Sequence, residues 1–124
     1  MTIHSFKDLI AWQEAHRLAL ATYKLTEDFP KAELFGLMNQ MRRAAVSISS
    51  NIAEGFSRNT AKDKKQFYAI SLGSLTELHN QFILANDLHY ISEAEFNKIE
   101  AEIITLHKII NGLIKGCKDF RSHT

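Results

Sequence analysis

Helix breakers are scarce in this chain: one proline and five glycines in 124 residues. An all-β domain of this length needs several tight turns, built mostly from Gly, Pro or Asn-Gly. So few breaks leave room only for a small number of long helices. At 45% hydrophobic and 23% charged residues the chain is globular and not disordered. Its length fits one domain, with no second core. Fifteen basic against 14 acidic side chains give a formal net charge of +1, which excludes a polycation and an acidic tail protein.

The single cysteine, Cys117, has no intramolecular disulfide partner, which favours a reducing, cytoplasmic setting. The opening segment carries Asp8 and Glu14 and no long apolar core, so it does not read as a signal peptide. No stretch approaches the roughly 18 apolar residues of a membrane span, so no membrane partner is expected.

Apolar spacing divides the chain into four helices, at about 6–29, 34–58, 60–89 and 93–116, within one domain covering 1–124. Ser5 with Asp8, Thr60 with Asp63 and Ser92 with Glu95 have the capping-box spacing. Pro30 ends the first helix, because the residue before a proline avoids helical geometry. On that helix Leu9, Trp12, Ala15, Ala19 and Tyr23 trace one face, with Ile10, Leu18, Ala21 and Leu25 outside it. The second helix carries the stripe Leu37, Met41, Ala45, Ile48 and Ile52 among many small residues, and a polar stripe through Gln40, Arg43, Ser47, Asn51, Glu54 and Arg58. The third places Phe67, Ile70, Ser74, Leu78, Phe82 and Ala85 on one face. Gly73 lies in mid-helix, where glycine costs about 1 kcal/mol against alanine, so a close helix crossing is expected there. The fourth has a seam of Phe96, Ile99, Ile103, Leu106, Ile110 and Leu113, with Gly116 as its stop. The expected fold is an all-α, antiparallel up-down four-helix bundle. Ile104, Ile109 and Ile114 lie beyond the seam, and this surplus of apolar residues points to self-association into a homo-oligomer.

No catalytic pattern is found, and the chain reads as a non-enzyme with no cofactor. No glutamate is followed three residues later by a histidine, the pairing that di-iron bundles need; His16, His79, His89 and His107 read as surface or boundary residues. No arginine precedes a histidine by four to six residues, as in helical toxin-type nucleases, and no phosphate-binding Gly-rich loop is present. Cys117 has no motif around it and reads as an inert boundary thiol.

The charge is unevenly distributed. Residues 42–66 hold Arg42, Arg43, Arg58, Lys62, Lys64 and Lys65 against only Glu54 and Asp63. Residues 77–102 hold six acids against Lys98. In an up-down bundle the second turn and both chain termini share one end. Arg58, Lys62, Lys64, Lys65, Lys118 and Arg121 therefore gather there as a candidate phosphate-binding patch. For Arg42 and Arg43 two readings stay open: an interhelix ion pair, with Glu54 or Glu77, or an RNA contact.

The run Phe35-Gly36-Leu37, then Gln40 to Ile48, then Ser50-Asn51-Ile52-Ala53-Glu54-Gly55, resembles the four-helix-bundle proteins encoded by intervening sequences in bacterial 23S ribosomal RNA genes. Leu9-x-x-Trp12, Phe29-Pro30-x-x-Glu33, Leu72-Gly73-Ser74-Leu75-x-Glu77 and Leu88-x-Tyr90-Ile91 extend the resemblance from Phe6 to about Lys118. Ser49 stands where many relatives have proline, and Ser71 where alanine is common. The resemblance implies an antiparallel bundle assembled as a homopentameric ring, and marks Asn51, Glu54, Gly55, Gly73 and Glu77 as motif positions. Related accessory variability determinants of diversity-generating retroelements are similar pentameric bundles whose basic surfaces engage RNA and a reverse transcriptase. Two functions follow as expectations: an oligomer that binds structured RNA, or a scaffold that holds a protein partner.

Overall fold

The computed structural model describes residues 2–118. Four α-helices account for most of them: α1 Ile10–Thr26, α2 Leu37–Phe56, α3 Ala61–Asp87 and α4 Glu93–Lys115. Short 3-10 turns at Phe6–Asp8 and Lys31–Glu33 precede α1 and α2, and no strand occurs among the described residues.

Local chemistry sets the boundaries. Thr60 and Ser92 cap α3 and α4 by accepting from the backbone N–H of Asp63 and Glu95, at 3.1 Å each, as their spacing predicts. At the first helix the outcome differs. The Ser5–Asp8 box closes only the 3-10 turn, because Leu9 is extended (φ −73°, ψ 129°) and α1 starts after it. The helix expected over 6–29 is therefore a turn followed by a shorter helix.

Pairings between neighbours fix the direction of the helices. Ser47 and Ser74 hydroxyls meet at 2.8 Å, Ser71 donates to the Ile48 carbonyl at 2.8 Å, and Lys64 reaches Phe56. Residue numbers thus fall along α3 as they rise along α2. His79 meets Glu100 at 2.8 Å across α3 and α4. A cleft of about 400 Å³ between α1 and α4 pairs Ala21 and Leu25 with Ile99 and Glu102. Each helix touches its two neighbours, α1 closing against α4, and no diagonal pair approaches. At one end, Tyr90 donates to Glu33 at 2.9 Å, joining the α1–α2 and α3–α4 connections.

The stripes of α2 and α4 are buried as the spacing predicts, apart from a half-buried Leu113. On α1 the buried face is instead Ala11, Ala15, Leu18, Ala19, Thr22 and Thr26. Tyr23 is exposed and Leu9 and Trp12 are half-buried. Thr22 and Thr26 enter the core because each hydroxyl donates to the carbonyl four residues back, at 2.8 Å, so neither hydroxyl is buried without a partner. The α3 face is also shifted: Tyr68, Ser71, Leu75, Leu78, Phe82 and Ala85 are buried, while Ile70 is exposed.

The close crossing expected at Gly73 is not there: a Cβ at that position would meet nothing within 4 Å. It lies at Gly55, where a Cβ would be 2.6 Å from the Tyr68 ring. Beyond the α4 seam, Ile104 is exposed and Ile109 and Ile114 pack half-buried against the core.

Candidate nucleic-acid interface

The connection between α2 and α3 is four residues long, with Arg58 in it and three lysines just beyond it on α3. Thr60 caps α3, which puts Lys62, Lys64 and Lys65 in its first turn and a half. A helix N-terminus carries partial positive charge, so lysines there oppose the helix dipole by about 0.3–1 kcal/mol each, falling off beyond the first turn. Asp63 is the one acid among them.

These cations are not equivalent. The Lys64 ammonium donates to the Phe56 carbonyl at 2.8 Å and lies 5.5 Å from the centre of the Phe56 ring. Burial lowers its pKa, with the nearby Cys117 acting in the opposite direction. Arg58 pairs with Glu54 at 3.0 Å and lies over the Phe67 ring at 4.5 Å. Lys62 and Lys65 are exposed and make no hydrogen bond or ion pair with the described residues. Lys118 is exposed as well. The end of α4 is close by: burial pushes the Cys117 thiol up from its ordinary value, and Lys64 and Lys65 pull it back. Arg121 lies outside the described residues.

Arg42 and Arg43 do not join this group. Arg42 lies fourteen residues before the last residue of α2, about 21 Å along the helix from the basic end. Arg42 donates to Thr26 Oγ1 at 2.9 Å and to the Tyr23 carbonyl at 3.2 Å, and its guanidinium lies 4.6 Å over the Tyr23 ring. It satisfies the carboxyl end of α1 in the way a capping cation does, and among the described residues it pairs with neither Glu54 nor Glu77, the partners of one of the two readings left open for it. Arg43 is exposed beside it on an open groove with Asn39, Val46 and Ser47.

The motif positions divide similarly. Asn51 donates to the Ser47 carbonyl at 2.8 Å and to its hydroxyl at 3.0 Å. Glu54 holds Arg58, Gly55 admits Tyr68, and Gly73 and Glu77 are exposed. Among the described residues no group of three or more His, Cys, Asp or Glu is arranged to hold a metal ion, and no helix is long and apolar enough to cross a membrane.

The family model described as 23S rRNA-intervening sequence protein matches residues 7–112. The chain belongs to that family. This intervening-sequence protein is similar in fold to a crystal structure, at 20% identity and a TM-score of 0.79, covering 88% of this chain and 98% of the other. That structure is described as a protein with unknown function from the S23 ribosomal protein family of Bacteroides thetaiotaomicron VPI-5482. None of the curated proteins matches the chain.

One aromatic group on this family member escaped the sequence reading. The Trp12 and His16 rings stack at 4.8 Å with 9° between planes, and Phe6 meets Trp12 edge-on at 5.3 Å. Its signal was the four-residue spacing of Trp12 and His16, which puts two rings one helical turn apart.

Proposed function

We propose that this intervening-sequence protein is a non-enzymatic, self-associating bundle of the cytoplasm that binds structured RNA at its α2–α3 end. The observation that carries this is the placement of Lys62 and Lys65: exposed, without a partner among the described residues, and in the opening turns of a helix, whose dipole disfavours Lys62 most. Positions that break a local rule of stability are those where a function is to be sought. Backbone N–H groups at a helix start also attract phosphate. The net charge of +1 is small, but the same patch repeated around a ring of copies sums to a larger field. Exposed Ile10, Leu20 and Ile104 support such self-association, with a pentamer as the preferred state.

The test is fluorescence anisotropy of a labelled RNA hairpin with the full chain at low and physiological salt. Binding should weaken steeply with salt, and the Lys62→Glu/Lys65→Glu variant should lose most of it. Circular dichroism should show that variant folded, since Glu at 62 is favoured in the first turn of a helix and position 65 is exposed. Unchanged binding would reject this patch. Absence of binding at every salt concentration would leave the protein-scaffold reading, which the 89% exposed Phe35 favours. Light scattering tests the assembly: a mass near the monomer's 14.1 kDa at micromolar concentration rejects the ring.

A further inference from the structure

We propose that the Trp12–His16 stack is a platform on which an unpaired RNA base lands, at the same end of the bundle as the lysines that hold the phosphates. This rests on the RNA reading above and names the part of the RNA that is recognised.

Trp12 is half-buried and packs on the core, so its indole is fixed in place. His16, one turn later, lies flat on it at 4.8 Å and 9°. His16 is exposed, and its imidazole has no hydrogen bond and no second ring among the described residues. The outer face of a rigid aromatic step is thus open to solvent. Phe6 braces the indole from its edge at 5.3 Å.

The position of the step gives it a use. Since α1 runs against α4, the start of α1 lies at the end where α4 finishes, and there Cys117 is near Lys64 and Lys65. The Phe6–Asp8 turn also touches α2, whose last residues lead into the basic connection. Glu14, the nearest acid on this part of α1, is paired with Arg17 at 3.0 Å and does not stand as a free repelling charge. Cations that track a backbone beside aromatic faces that take bases are the two components of single-strand recognition. An aliphatic residue at 16 would shield Trp12 equally well; an imidazole lying parallel to it adds a flat π face.

Trp12 is the only tryptophan in the chain, so its emission reports on this site alone. The experiment titrates the full chain with three labelled RNAs: an oligouridine about ten nucleotides long, a hairpin with an unpaired loop, and a blunt duplex. Anisotropy and Trp12 emission are followed together. The oligouridine and the hairpin should quench Trp12 in step with binding, and the duplex should bind without quenching. His16→Ala should weaken hairpin binding about tenfold and leave duplex binding unchanged, and His16→Phe should restore it. Hairpin binding with unchanged Trp12 emission, or with full affinity in His16→Ala, overturns the platform and leaves the lysine patch standing. No anisotropy change with any RNA overturns the RNA reading itself, and the platform with it.

Discussion

Lys64 donates from its ammonium to the Phe56 carbonyl at 2.8 Å, so the first turns of α3 cap the last turn of α2. The last carbonyls of a helix have no partner inside it and carry partial negative charge. A half-buried cation there joins two helices through one side chain. Lys64→Ala should therefore lower stability by about 1 kcal/mol, measured by urea denaturation, and change RNA affinity less than either Lys62 or Lys65 does. A variant of unchanged stability with weakened RNA binding would return Lys64 to the phosphate-contacting group.

Lys62 should have the opposite signature. It lies in the first turn of α3, exposed and without a partner among the described residues, where the helix dipole repels it. Lys62→Glu should raise stability by about 0.5 kcal/mol at low ionic strength while it weakens RNA binding. The gain should vanish in high salt, which screens exposed charges. Thermal denaturation at two salt concentrations measures both parts, and a loss of stability at low salt would contradict the dipole argument.

Much of the fold was legible in the sequence because its strongest signals are periodic. The stripe from Leu37 to Ile52 on α2 and that from Phe96 to Ile110 on α4 are buried throughout. Where the buried faces depart from the apolar stripes, polar residues complete the core. Thr22 and Thr26 are buried because their hydroxyls bond to their own helix, and Ser71 because it bonds to Ile48. Residue type does not announce that. Each of these rotates the buried face of α1 or α3 away from the stripe that apolar residues alone suggest. Net charge along the chain located the basic end, but it counts Lys64 and Arg58 equally with Lys62. Only their partners separate the residues that cap and stack from those left free.

Two motif glycines should respond in opposite directions. At Gly55 a Cβ would lie 2.6 Å from Tyr68 Cε1 and 3.1 Å from Phe67 Cβ, and Tyr68 is only 2% exposed, so its ring has nowhere to swing. Overpacking of about 1–3 kcal/mol acts against the roughly 1 kcal/mol by which alanine favours helix, and a contact this short falls at the upper end. Gly55→Ala should destabilise, and a second change, Tyr68→Leu, should relieve it. At Gly73 the space is open, so Gly73→Ala should stabilise the monomer by about 1 kcal/mol. Denaturation at low protein concentration measures this. A destabilising Gly73→Ala would mean that another molecule packs against that face of α3.

Tyr68 also makes stability depend on pH at the alkaline end. Burial is the main cause that pushes its phenol up to about 12, from an ordinary value of 10.0. The folded chain therefore holds this proton over a range in which the unfolded chain has lost it. For such a group the stabilisation is complete below the unfolded pKa and is lost as pH rises towards the folded one. By pH about 11 the loss attributable to Tyr68 is about 1 kcal/mol. Tyr68→Phe keeps the ring against Gly55 and removes the proton. Urea midpoints should fall between pH about 9 and about 11 more steeply for the unmodified chain than for this variant. Parallel curves would show that the phenol ionises in the folded state as easily as in the unfolded one.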